Sequence, residues 1–316
     1  MSATLAPPGT GKQGTPKSGV TRRPSRRLSK ALKFLTFGVP GLVVYVAFVL
    51  VPIAMTVGVS MTNRNLERPP TRWVGFDNYR RLADDSAFTG ALKNTIVLTV
   101  IVTVAANVGG LLIALLLDRR GWLYNALRSV FFTPVVLSGV VVSVIWGAIL
   151  TDDGLLNSML RDLGLHHPPG WLSDPDIALY SVAFIMIWQM LGFCVVVYLA
   201  GLQAVPAELH EAAAIDGAGV LARFRNVTWP MLAPALTINT VMALIGGFKT
   251  YDQIQVITNG GPGIGTTSTI AFEVVQTTFT GNRIGYGAAM ATVMLAVIAV
   301  ISVIALRILQ RREVTL

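Results

Sequence analysis

The chain has few charges, almost no cysteine or histidine, and none of the common catalytic motifs. Charged residues make up 13% of its 316 positions, against 53% hydrophobic ones. A soluble domain of this length does not cover so much apolar surface with so few charges, and the mean hydropathy of +0.62 agrees. Lipid is the simplest place for the surplus. The one cysteine, Cys194, sits inside an apolar run. An intramolecular disulfide and a thiolate metal site built from this chain alone are therefore excluded. The three histidines, His166, His167 and His210, fall in loops on opposite sides of the expected topology, which argues against a shared metal site. No G-x-x-x-x-G-K-[ST] loop is present: around Gly11-Lys12, Ala6 stands where the first glycine belongs and Gln13 where Ser or Thr does. The chain is therefore not expected to hydrolyse ATP. H-E-x-x-H and G-x-S-x-G are absent too. Neither a catalytic residue nor a cofactor is expected.

What is abundant is apolar sequence in long runs. They lie at about Phe34–Met61, Ile96–Leu117, Val130–Leu150, Ile177–Leu202, Ala235–Val256 and Gly287–Leu309. Each is near or above the roughly 20 residues that cross a bilayer as a helix. The expected fold is an all-α membrane protein of six transmembrane helices. The weakest run is Ala235–Val256, because Lys249 and Asp252 sit near its end.

The net charge of +9 is concentrated at the N-terminus. Residues 1–33 carry eight basic side chains and no acidic one, among Pro, Gly, Ser and Thr. They read as a disordered tail, with a transmembrane domain expected over 34–316. A nucleic-acid arm is one reading of such a tail. The apolar run that follows at once favours a cytoplasmic flank that orients the first helix, with no nucleic-acid partner. Six crossings then put both termini in the cytoplasm. Against this stand Arg64, Arg68, Arg72, Arg80 and Arg81 in the first outer loop, partly balanced by Glu67, Asp77, Asp84 and Asp85. The outer-loop aromatics, Trp73, Phe76, Tyr79 and Trp171, suit either the membrane interface or a docking surface.

The longest inner loop, about 203–234, reads AVPAELHEAAAIDGAGVLARFRNVTWPMLAP. Pro206 suits the first turn of a helix, and Glu208 and Glu211 near that start favour the helix dipole. Gly217 and Gly219 break the helix, and a short amphipathic segment with Leu221 and Phe224 follows. The loop is a helix–turn–helix against the inner face, either a docking element or a plain connector.

Glu211-Ala212-Ala213, Asp216-Gly217-Ala218, Phe224, Pro230 and Pro234 resemble the EAA loop of binding-protein-dependent ABC importer permeases. The match departs at Trp229, where the family usually has Leu, and at Val227, often Ile; both stay apolar. WVGFDNYRRL at Trp73–Leu82, Lys93-Asn94-Thr95, Arg128 to Trp146, and YDQIQVITNGGPG at Tyr251–Gly263 resemble the carbohydrate type found in maltose and glycerol-phosphate importers. The resemblance covers most of the chain after residue 34. It implies the ABC importer permease fold, with Glu211, Ala212, Ala213, Asp216, Gly217 and Ala218 as the cytoplasmic coupling helix that meets an ATPase. It also implies a second homologous permease, two cytoplasmic ATPase subunits, an extracytoplasmic solute-binding protein, and a sugar-like solute carried across a bacterial inner membrane.

Polar side chains within spans are costly and so are candidates for the solute pathway. Gln189 in the fourth span, and Asn239, Lys249, Tyr251 and Asp252 in or beside the fifth, form that set. The competing reading is that Asn107 and Gln189 hold helices together and that Lys249 pairs with Asp252 at i,i+3. Two alternatives stay open for the whole chain. One is a permease of the same architecture for an amino acid or phosphate. The other is a membrane enzyme or scaffold without transport.

Overall fold

A computed structural model describes residue 36 and residues 38–311. The basic tail 1–33 and Arg312 lie outside the described residues. The described residues up to Ile53 and the described residues from Ala54 onward form two compact units. Helix α1, Val39–Ser60, runs across that boundary and is interrupted by a π turn over Val46–Leu50. Among the described residues there is no strand, only an isolated bridge between Thr62 and Trp73.

The core of the larger unit is built on α3, Ser86–Leu117, and α7, Ala178–Gln203. Against this pair pack α4, Trp122–Val136, and α10, Ala233–Phe248; α12, Ile284–Gln310, packs in turn on α10. Helix α3 shows the logic. Leu98, Val102, Ala106, Gly110 and Ala114 face inward and are buried, at the four-residue spacing of one helix face. Val100, Val104, Val108, Leu112 and Leu116 repeat on the opposite side and are all exposed. From Leu98 onward the helix is apolar on both faces and carries no charge, and such a stretch belongs in hydrocarbon.

Close approach is achieved by deleting side chains. A Cβ on Gly110 of α3 would collide with Cys194 of α7, and one on Gly192 of α7 with the Phe131 carbonyl of α4. Small residues at such crossings are how helices pack where burial in lipid gives no drive to associate. Asn107 adds a polar tie at the same crossing. It accepts from the Tyr198 hydroxyl at 2.7 Å and donates to the Thr103 carbonyl at 2.8 Å.

Among the described residues five helices are long and apolar enough to cross a membrane: α1, α3, α7, α12 and the stretch Gly139–Asp162. A sixth arises if Val220–Met231 (α9) and α10, bent by 61°, count as one crossing. Two of the expected runs differ in form. The run Val130–Leu150 is not one rod. It breaks at Leu137, where the backbone turns extended, and restarts as α5, Gly139–Leu150, capped by the Ser138 hydroxyl on the Val141 amide. Pro134 just upstream removes one helical N–H, which weakens the ladder at this point. The fifth run, Ala235–Val256, ends as an α-helix at Phe248, with Lys249 as its cap. The Lys–Asp pair that made this run weak also marks its end.

The segments between spans at the end opposite the 203–234 loop are structured. Helix α2, Asp77–Asp84, leads into α3, which starts ten residues before the expected apolar run. Asp85 caps α3 and accepts from the Tyr286 hydroxyl of α12 at 2.6 Å, with Arg283 stacked over that ring. Burial pushes the Asp85 carboxyl up. The Tyr286 hydroxyl and the Phe88 and Ala87 amides outweigh it, so the group lies below its ordinary value. Helix α6, Leu155–Asp162, buries Asn157, which accepts from the Trp171 indole at 2.7 Å. Trp171 is thus anchored within the protein, whereas Trp73 and Phe76 are exposed.

Candidate functional site

The 203–234 loop forms helix α8, Ala207–Ile215, then a turn, then α9. Pro206 sits just ahead of the first helical residue rather than within the first turn. The C-terminus of α8 is closed by a two-bond cap. The Ala218 amide donates to Ala213 at 2.9 Å and the Gly217 amide to Ala214 at 3.1 Å. This Schellman pattern needs a left-handed residue at the turn, and Gly217 supplies it with φ +75. A Cβ on Gly217 would meet nothing within 4 Å among the described residues.

What surrounds the turn is unexpected for a connector. No residue of α8 is buried. Ile215, Val220 and Leu221 are 87%, 78% and 79% exposed, one before and two after the Gly217–Gly219 break. Covering an aliphatic side chain is worth about 1.5–3 kcal/mol relative to water, so three together form a surface that favours a partner. Glu211, Ala212, Asp216 and Gly217 are exposed with them, and Ala213 and Ala218 are partly covered. Behind the turn, Phe224 and Trp229 contact ring to ring at 6.3 Å across a π turn, and Leu232 is fully buried at the bend into α10. Arg128 fastens the neighbouring end of α3, donating to the carbonyls of Leu117 at 2.7 Å and Arg119 at 3.2 Å.

A cavity of about 380 Å³ lies deeper in the bundle, with Val102, Gln189, Lys249, Tyr251, Asp252 and Gln253 among its walls. Three features explain how so many polar groups sit beside apolar helices. The Gln189 amide donates to the Leu137 carbonyl at 3.0 Å, covering an acceptor freed by the break between α4 and α5. Gln253 reaches back to Gln189 at 3.5 Å. Lys249 stands at the C-terminus of α10 and Asp252 beside Gly139 at the N-terminus of α5, so each charge meets the favourable end of a helix dipole. Lys249 and Asp252 do not pair with each other. Among the described residues the ion pairs are Arg80–Asp77 and Arg161–Asp153.

The structure thus gathers Gln189, Lys249, Tyr251 and Asp252 around one space and leaves Asn239 out of it. Asn239 is fully buried between α10 and α7, donating to the Cys194 carbonyl at 3.4 Å. Gln253 is an addition that sequence reasoning passed over, since its position depends on a helix ending at Phe248. Asn94 is another. Its amide donates to the carbonyls of Gly265, Thr266 and Ser268 at 3.0–3.1 Å and so moors a long irregular segment to α3.

Comparison with known proteins agrees with this architecture. Residues 106–314 match the family described as "Binding-protein-dependent transport system inner membrane component". A probable starch degradation products transport system permease protein, AmyD of Thermoanaerobacterium thermosulfurigenes, is 33% identical over 294 residues, covering 91% of this chain and 99% of its own. The multiple sugar-binding transport system permease protein MsmF of Streptococcus mutans is 32% identical, covering 88% of this chain and 96% of its own. A chain from the crystal structure of a bacterial ABC transporter that imports alginate superposes with TM-score 0.76 at 24% identity, covering 90% of this chain and 99% of that one. The chain therefore belongs to the binding-protein-dependent transport system inner membrane components, the permeases of ABC transporters, and its relatives are sugar permeases.

Proposed function

We propose that the chain is one half of the translocation pathway of an importer for a sugar or sugar-like solute, driven by ATP hydrolysis on partner subunits. The α8–α9 turn is the point of coupling. The observation that carries this is the cluster of Ile215, Val220 and Leu221 exposed around a capped left-handed glycine. An apolar, small-residue turn with nothing beneath Gly217 suits insertion into a cleft on another protein. Glu211, Ala212, Ala213, Asp216 and Ala218 form the rest of that contact. In this reading the turn faces the cytoplasm, as do both termini, and the membrane is the bacterial inner membrane. The basic residues of the tail and Arg119, Arg120 and Arg128 at the turn's end support that orientation.

A second, homologous permease completes the pathway, and two ATPase subunits close on ATP. A solute-binding protein delivers the sugar to the opposite end. One solved alginate transporter is in complex with a pentasaccharide-bound periplasmic protein, which supports such a delivery step here. Gln189, Lys249, Tyr251 and Asp252 line the way through, and Asn239 holds its wall.

The test is reconstitution. The purified chain alone should turn over no ATP. With the partner permease, the ATPase and sugar-loaded binding protein, vesicles should accumulate labelled sugar on adding ATP. An impermeant thiol reagent applied from outside intact cells should spare a cysteine at Ala222 and label one at Ser86, in a Cys194→Ser background. ATP turnover by the chain alone, or labelling at Ala222 from outside, refutes the reading.

A further inference from the structure

At the end of the bundle opposite the coupling turn there is a second cavity, of about 570 Å³. Its size lies within the roughly 300–1,000 Å³ of small-molecule sites. It forms between the 259–265 turn and helix α11, Ile270–Val275, which continues as a π turn over Gln276–Thr280. The turn is firmly built. Asn94 holds three of its carbonyls or those just after it. The Thr267 amide donates to Gly260 at 3.0 Å, and Thr267, Ser268 and Thr269 are buried. Asn259, Gly260, Gly261 and Gly265 all have positive φ, and the three glycines leave much of the turn's main chain bare of side chains.

Ser268, Glu273 and Gln276 complete the polar wall. Glu273 is half-buried and has no cation within ion-pair reach among the described residues. Burial raises its carboxyl above the ordinary value, and the Ser268 hydroxyl offsets this only in part. The residues lining this space include no Lys, Arg or His. Amide, carboxyl and main-chain carbonyls offer acceptors and donors side by side, as neighbouring hydroxyls require, and nothing there attracts an anion.

A line of polar side chains joins this cavity to the one at Gln189. The Tyr251 hydroxyl donates to Gln255 at 3.2 Å, Gln255 donates to Asn259 at 3.0 Å, and Gln276 donates to Gln255 at 3.2 Å. Tyr251 lines the first cavity; Asn259 and Gln276 line the second.

We propose that this cavity is a second solute subsite, which holds one unit of a neutral saccharide through Glu273, Gln276 and the main chain of the 259–265 turn. The saccharide then passes along Tyr251, Gln255 and Asn259 to the cavity at Gln189. This rests on the reading of the chain as a sugar permease. It adds the place where the solute first engages the chain and the requirement that the solute carry no negative charge.

Uptake by cells with the complete transporter comes first, with labelled neutral di- and tetrasaccharides of glucose, xylose and N-acetylglucosamine beside an oligouronate. Import of a neutral saccharide is expected. Import of none of these sugars defeats the functional reading itself, and import of the oligouronate alone defeats only the neutral-solute claim. The imported saccharide is then added to membranes that lack the binding protein, with Cys194→Ser permease carrying Gln276→Cys or, as a second position on the rim, Ile264→Cys. Saturating saccharide should slow labelling by an impermeant maleimide at least about fivefold at either position and leave Ser86→Cys unaffected. Glu273→Gln should raise the saccharide concentration that protects roughly tenfold. Unslowed labelling at both positions, equal slowing at Ser86→Cys, or protection by the binding protein without sugar and not by the sugar overturns the proposal.

Discussion

Gly217 separates two roles that a coupling turn plays at once. Its φ of +75 closes the Schellman cap of α8, and its missing side chain leaves the surface of the turn flat. For an L-residue this backbone costs about 1–2 kcal/mol, least for Asn. Among the described residues nothing lies within 4 Å of the position where a Cβ would stand, so no clash adds to that cost. Gly217→Ala therefore tests mainly the backbone, Gly217→Asn mainly the added bulk, and Gly217→Leu both. All three should reach the membrane at normal levels, because the turn lies outside the spans and a penalty of about 1–2 kcal/mol is confined to it. If the turn inserts into an ATPase cleft, Asn and Leu should both reduce ATPase copurification, and Leu should abolish sugar uptake. Ala should be the mildest. The assay is uptake with membrane levels and ATPase retention measured on the same cells. Normal uptake and normal ATPase retention in Gly217→Leu would mean that the turn is an ordinary connector.

Lys249→Met should cut uptake while leaving assembly intact. Because Lys249 and Asp252 are not paired, adding Asp252→Asn should not restore it; rescue in the double variant would show a functional pair. Gly110→Val should destabilise the bundle by roughly 1–3 kcal/mol, seen as a lower melting temperature in detergent, because the new side chain meets Cys194. Cys194→Gly, which removes the colliding Cβ, should relieve part of that loss; an unchanged melting temperature in Gly110→Val would contradict the close crossing. Asp85 has its carboxyl held below the unfolded value, so its contribution is present above about pH 4 and is lost as pH falls through the lower folded value. The melting temperature of the unmodified protein should then fall more steeply below about pH 4 than that of Asp85→Asn; equal slopes would remove the clasp with Tyr286 as the cause.

The membrane fold was legible because it follows from composition and run length, which depend little on tertiary detail. α7 and α12 appear close to where their apolar runs lie. The start of α3 was missed because Asp85, Ser86 and Lys93 make its first turns look like a loop, although Asp85 serves there as its cap. The break at Leu137 was missed for the opposite reason. Val135, Val136, Leu137, Val140 and Val141 are as apolar as a continuous helix, and only the long-range bond from Gln189 makes the freed carbonyl tolerable. Gly217 was legible locally, since a glycine after a capped, small-residue helix has one common conformation. The cavity was legible only in part. Lys249 and Asp252 are conspicuous in an apolar run, but Gln253 joins them through a helix end that packing decides. Asn239 has the same signal as Gln189 and a different place, because hydropathy marks a polar residue without saying which neighbour it faces.

What touches the exposed apolar turn decides whether it couples the chain to an ATPase. A photoreactive benzophenone side chain at Leu221 in the assembled transporter, irradiated in intact membranes, reports the neighbour directly. The ATPase subunit should be captured there and not from the same group placed at Ser86 at the opposite end of the bundle. Capture of lipid alone at Leu221, or of the ATPase equally from both positions, would contradict the assignment of this turn as the coupling site.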